Sequence, residues 1–293
     1  GESEGAARSF ARAVELDPEK PHYRFALARA YRASYELDEA AAAFRAGLEL
    51  SPDADAARAA RLELALTLRH DGRFTESETE LRRLLAEDDS DTDALFQLGR
   101  LQLAANRYPG AEAAFRRLTE VSPDHVPGLF MLGFVSYREN ALEKARASFQ
   151  RLLELDPAHA EARYYLGVCL LKLEDRAGAR KAFEETLLRD PDHASANYNL
   201  ALLLVRDGEE EEARKRFEQF RELGARRERL LALEERVRWD PMNAKFHFDL
   251  GQEYSRQNRT KEALQSLQRA LEIEPGLSAA EVAIADLLGR RNP

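Results

Sequence analysis

Two successive stretches decide the fold: VPGLFMLGFVSYRENALEKARASFQRLLELDP at residues 126–157 and AEARYYLGVCLLKLEDRAGARKAFEETLLRDP at residues 160–191. Set one above the other, they align Leu132-Gly133 with Leu166-Gly167, Ala145 with Ala179, Phe149 with Phe183 and Pro157 with Pro191, each pair 34 residues apart. In the first stretch Leu129, Leu132 and Gly133 share one helical face, a turn follows at 139–142, and Ala145, Phe149 and Leu152 make a second apolar stripe. Each stretch therefore reads as two helices. Small residues let the pair approach, and the phenylalanine fills the space beside them. The closing proline lacks a backbone donor and is tolerated only at or before the first turn of the next helix. Neither helix can bury its stripe alone, so adjacent units must stack.

The period extends outward over the whole chain. Pro18, Pro52, Pro123, Pro157, Pro191, Pro241 and Pro275 are separated by 34, 71, 34, 34, 50 and 34 residues, the odd gaps being two periods plus three and one period plus 16. Phe10, Phe44, Leu81, Phe115, Phe149, Phe183, Phe217 and Leu267 form a second series, and Ala6, Ala40, Ser77, Ala111, Ala145, Ala179, Ala213 and Ala263 a third. These series place the second helix of a truncated repeat, or an N-terminal cap, at 1–20. Six repeats follow over 21–224, with a three-residue insertion near 55–57. An inserted helix is expected over 225–243, because Gly224 can stop one helix and the run with Leu230, Leu233 and Val237 begins another. A seventh repeat fills 244–277 and a closing helix 278–293. The missing first helix implies a chain cut from a longer protein, with an apolar face at Phe10 and Ala13 open to self-association.

The pattern resembles the tetratricopeptide repeat family over nearly the whole chain, through Leu132-Gly133, Ala145, Phe149 and Pro157 and their counterparts at 166–191. Departures are Ser77, Leu81 and Asp89 in the second repeat, and Arg24, Leu95, Leu129, Arg163 and His247 where the family has an aromatic early in the first helix. The resemblance implies an all-α, right-handed superhelical solenoid of antiparallel helix pairs whose first helices line a concave face. Along that face run Phe96, Phe130, Tyr164 and Tyr198, then Phe134, Val168 and Leu202, then Tyr137, Leu171 and Val205. Such a strip exceeds scattered surface hydrophobes and marks a groove for a protein or peptide segment. Beside it Arg138, Lys172 and Arg206 recur every 34 residues and favour a segment with acidic flanks. The function implied is a non-enzymatic adaptor or scaffold. The alternatives are the docking region of a larger enzyme, such as a glycosyltransferase, and a self-assembling scaffold.

Composition excludes other classes. The 293 residues are 44% apolar and 33% charged, and no apolar run reaches the ~20 residues of a membrane-spanning helix. With 44 Lys and Arg against 53 Asp and Glu the net charge is -9, unsuited to general nucleic-acid binding. His125, His159 and His193 stand one repeat apart, roughly 8–10 Å or more, too far to share a zinc ion. They read as turn residues. The run Asp89-Ser90-Asp91-Thr92-Asp93 lacks the glycine and closing glutamate of a calcium loop and reads as an acidic helix start. The single cysteine, Cys169, sits on an apolar helix as a small filler, and Trp239 occupies a core register. No phosphate-binding glycine loop is present, so no cofactor is expected.

Overall fold

The computed structural model describes residues 2–51 and 53–289; Pro52 of the proline series and 290–293 of the expected closing segment lie outside the described residues. Sixteen helices, and no strand, occur among the described residues. They are α1 (Glu2–Leu16), α2 (Pro21–Ala33), α3 (Leu37–Leu50), α4 (Ala54–His70), α5 (Phe74–Glu87), α6 (Thr92–Ala104), α7 (Tyr108–Val121), α8 (Val126–Arg138), α9 (Leu142–Leu155), α10 (Ala160–Lys172), α11 (Arg176–Arg189), α12 (Ala194–Arg206), α13 (Glu210–Trp239), α14 (Ala244–Arg256), α15 (Thr260–Ile273) and α16 (Ser278–Gly289). The chain divides into two compact units, Gly1–Ala182 and Phe183–Pro293. The first stacks the pairs α2/α3, α4/α5, α6/α7 and α8/α9 between α1 and α10; the second holds α12/α13, α14/α15 and α16.

Local chemistry sets the C-terminal end of each first helix and, except at α2, the N-terminal end as well. At the C-terminal end one residue takes a left-handed conformation: Tyr35, Gly72, Asn106, Asn140, Glu174, Gly208 and Asn258 all have positive φ. The N–H of the residue after it donates back five residues, as from Ala141 to Ser136 O at 2.8 Å and from Asp175 to Leu170 O at 2.9 Å. This closure satisfies carbonyls the helix leaves unpaired. Glycine and asparagine suit the conformation, whereas Tyr35 and Glu174 bear its steric cost. At the N-terminal end of α4, α6, α8, α10, α12 and α14 a side chain accepts from the helix amides. Asp53, Asp91 and Asn243 do so through oxygen; His125, His159 and His193 do so through Nδ1, at 2.9–3.1 Å from Gly128, Ala162 and Ala196 N–H. The three histidines are therefore helix caps.

Behind these caps the expected core column is filled. Phe44, Phe115, Phe149 and Phe183 are fully buried, as are Ala40, Ala111, Ala145 and Ala179. A Cβ at Gly133 would stand 2.7 Å from the Phe149 ring, so this helix pair closes to a distance that only glycine permits. At the place of the family's early aromatic, Leu95 and Leu129 are buried, while Arg24 and Arg163 instead donate to Pro18 O at 3.2 Å and Pro157 O at 2.9 Å, tying helix to turn. Asp91 caps α6 and receives two 2.7 Å hydrogen bonds from Arg58, which also pairs with Asp93.

Three expectations need correction. The helix expected over 225–243 is no separate element: α13 continues through Gly224 for 30 residues. An interior glycine costs only about 1 kcal/mol against alanine, no cap or proline interrupts the run, and the Glu222–Arg226 pair spans the glycine. The insertion near 55–57, by contrast, stands as expected in the register and lies inside α4, a helix of 17 residues behind the Asp53 cap. Phe10 and Ala13 do not form an exposed face; both are half-buried, Phe10 packing with Leu27 and Ala30. Trp239 is 88% exposed rather than core. The last turns of α13 face α14 through Leu230, Leu233 and Val237, and a residue two beyond Val237 points about 200° around the helix from it.

Candidate peptide-binding face

In the first unit the expected strip gathers around a residue that repeat reasoning passed over. Tyr165 receives Phe130 (ring centroids 6.0 Å), Phe134 (5.6 Å, edge-on) and Tyr137 (5.5 Å) from α8, and stacks on Phe149 of α9 at 5.7 Å. Burial raises its phenol above the ordinary value, with Glu161 adding to the shift and Arg138 opposing it. The sequence did carry a signal: the equivalent places one repeat away hold Met131 and Asn199, so Tyr165 breaks its column.

The strip residues differ in their contacts. Phe130, half-buried, meets Phe149 at 6.0 Å and stacks on the capping His159 at 5.3 Å. Phe96 repeats this one repeat earlier against Phe115 and His125, with Arg100 over its ring at 5.8 Å. Phe134, Tyr137, Tyr164, Val168 and Leu171 are half-buried, Tyr164 meeting Tyr165 at 5.3 Å. At the rim Arg138 lies 5.3 Å from the Tyr108 ring and 5.9 Å from that of Phe134, its Nη2 donating to Tyr108 Oη at 2.7 Å. Lys172 Nζ stands 4.9 Å over Tyr137. Both cations are exposed, and neither has a carboxylate partner among the described residues. Rings hold such cations in place without neutralising them.

In the second unit Tyr198, Leu202 and Val205 of α12 are exposed, as is Arg206. Tyr198 meets Phe217 at 5.9 Å and Phe220 at 5.1 Å, both on α13.

Cys169 and the three capping histidines are otherwise engaged. Cys169 is buried, and burial pushes its thiol up to about 11, leaving little thiolate near neutrality. Each capping histidine spends its Nδ1 lone pair on an amide. Among the described residues no three His, Cys, Asp or Glu side chains converge as a metal site, and no helix is long and apolar enough to cross a membrane.

Stacked helix pairs, joined by the same turn and cap from one repeat to the next, make this chain a helical-repeat scaffold for protein interaction. Tetratricopeptide repeat profiles match it over 1–55, 62–126, 96–158 and 170–227, over 136–195, and over 244–277. The chain belongs to the tetratricopeptide repeat family. Solved structures show the same fold. A tetratricopeptide repeat protein from Parabacteroides merdae aligns over 96% of this chain and 99% of its own, with a TM-score of 0.56 at 14% identity. MamA from Desulfovibrio magneticus RS-1 aligns over 57% and 95% (0.54, 20% identity), and pilF of Pseudomonas aeruginosa over 79% and 98% (0.51, 20% identity). No curated protein matches.

Proposed function

We propose that the chain is an adaptor holding a segment of another protein against the first-helix face of α8 and α10. Phe134, Tyr137, Tyr164, Val168 and Leu171 would bury the segment's apolar side chains over a floor of Phe130 and Tyr165, with Phe96 extending the strip. Arg138 and Lys172 would select acidic flanks. The observation that carries the reading is the pair of exposed, uncompensated cations resting on rings at the edge of a half-buried aromatic strip. Apolar burial supplies the affinity, and the rim charges act on encounter and specificity. Selection from a peptide library should enrich two or three large apolar residues flanked by Asp or Glu. Phe134→Ala or Tyr137→Ala should then weaken a selected peptide by about 1–3 kcal/mol. Changing Arg138 and Lys172 together to Glu should remove the acidic preference and its salt dependence. Enrichment of basic peptides, or a Phe134→Ala variant that loses folding stability yet binds unchanged, would overturn the proposal.

A further inference from the structure

The sixth helix pair lacks the cover that other pairs have. Phe217 stands in register with the fully buried Phe115 and Phe149, yet is only half-buried. Three residues on, Leu118 and Leu152 are 0% exposed, whereas Phe220 is 36% exposed. On α12, Tyr198, Leu202 and Val205 are exposed where Phe130, Phe134 and Tyr137 are half-buried. Elsewhere the cover is the next repeat's first helix: Met131, Leu132 and Val135 of α8 pack with Phe115 and Leu118 of the preceding pair. Here the 16 extra residues of α13 carry that helix away, by about 24 Å at 1.5 Å per residue. The first helix of the last repeat, α14, instead packs on the far half of α13, bringing Leu250 and Tyr254 to Leu230, Leu233 and Val237. What remains beside α12 is an open cavity of about 570 Å³ whose apolar lining includes Tyr198, Val205, Phe217 and Phe220 and whose charged lining is Glu210, Arg214 and Arg221.

The helices that fill this place in other repeats define what would fit. Each presents a small residue, a leucine four residues later and a further apolar residue three after that: Ala94, Leu98 and Leu101; Gly128, Leu132 and Val135; Ala162, Leu166 and Cys169. α6, α8 and α10 are each 13 residues long. Arg221 lines the cavity and Arg206 follows its wall residue Val205 on α12; neither has an ion-pair partner among the described residues, while Arg214 is already paired with Glu211. Against the single unpaired carboxylate of Glu210 these two cations leave a positive excess, which calls for carboxylates on the occupant.

We propose that this site takes an amphipathic α-helix of a partner protein, about three to four turns long, acidic at its margins and carrying the spacing small-x-x-x-Leu-x-x-apolar, seated as the first helix that α13 displaces. The cavity shares no residue with the α8 and α10 face. The probe is a fluorescein-labelled, 15-residue helical peptide with Ala, Leu and Leu at that spacing and Glu at the flanks, titrated against the full chain and followed by anisotropy. A scrambled peptide of the same composition and sedimentation of the chain alone accompany it. The designed peptide should bind and the scrambled one should not. Phe220→Glu should weaken binding at least tenfold with an unchanged thermal melt. Arg221→Glu should weaken it in a salt-dependent way, and Phe134→Ala should leave it unaltered. Equal binding by the Phe220→Glu variant, or no binding by the unmodified chain, overturns the proposal. So does a dimer of the chain alone that Phe220→Glu dissolves, because the occupant would then be a second copy.

Discussion

Phe149 and Phe217 occupy one register in two repeats, and truncating each to alanine should cost very different amounts. Phe149 is fully buried, with Phe130 at 6.0 Å, Tyr165 at 5.7 Å and Gly133 so close that the facing helix has no side chain with which to fill a void. Lost burial of a whole aromatic side chain and the cavity left behind together put Phe149→Ala at about 4 kcal/mol, in the middle of the usual range for Phe→Ala. Phe217 is half-buried and lacks a helix on one side, so about half its contacts are at stake and Phe217→Ala should cost ~2 kcal/mol. Global unfolding blurs such differences in a repeat protein, whose stability is a sum of local and neighbour terms. Native-state hydrogen exchange separates them, because the amides of α8 and α9 report one opening and those of α12 and α13 another. The cavity reasoning fails if Phe217→Ala costs as much as Phe149→Ala, or if Phe149→Ala costs under about 1 kcal/mol.

Further expectations concern turns, charges and the thiol. Glu174 holds a left-handed turn at φ 65, so Glu174→Gly should stabilise the fold by a net ~0.5–1 kcal/mol after the added freedom of glycine in the unfolded chain is subtracted, read as a raised thermal midpoint. Burial works against ionisation of Asp91, but the Arg58 hydrogen bonds and the Ala94 N–H outweigh it and hold its carboxyl below the usual range. A lowered folded-state value means stabilisation that is complete above the unfolded value of ~3.9 and fades as pH falls through the lower one. Arg58→Met should cost about 2 kcal/mol at neutral pH, less than a fully buried pair because Arg58 reaches solvent, and should flatten the acid limb of a stability–pH curve. A cap lost in His125→Ala should cost ~1 kcal/mol and be restored in His125→Asn, read by denaturant midpoint. Cys169 should resist iodoacetamide at neutral pH in the native protein and react once denatured; rapid native labelling would contradict its burial.

Periodicity made the faces of each helix legible, because apolar spacing within a helix reports which side must be covered. Phe44, Phe115, Phe149 and Phe183 accordingly lie where a 34-residue register puts them. The identity of the covering neighbour is a long-range matter, and there the register misleads. Phe217 carries the same column signal as its buried counterparts Phe115 and Phe149, yet sits on a helix whose added length moves the expected neighbour elsewhere. Gly224 was ambiguous for a local reason, since glycine ends a helix only when the chain beyond supplies a left-handed turn and new partners for the free carbonyls. Of the candidate face, the apolar strip and its rim cations were visible from spacing. The centre of the cluster was not, because Tyr165 is the exception in its column and repeat logic averages exceptions away.

The unbroken course of α13 sets an orientation as well as a distance. Leu233 stands eight residues before Pro241, as Phe149 stands before Pro157, so α13 carries that packing position twice, at Phe217 and at Leu233. Sixteen residues at 100° each make four full turns and about 160° more, so the two positions look to nearly opposite sides of one rod. The last repeat is therefore clocked against α12 by a residue count. Two further residues in α13 would complete five turns and bring both positions to one side, whereas removal of one would leave them about 60° apart. Length variants in the solvated middle of this helix would steer the last repeat about the rod's axis while leaving every packed side chain as it is.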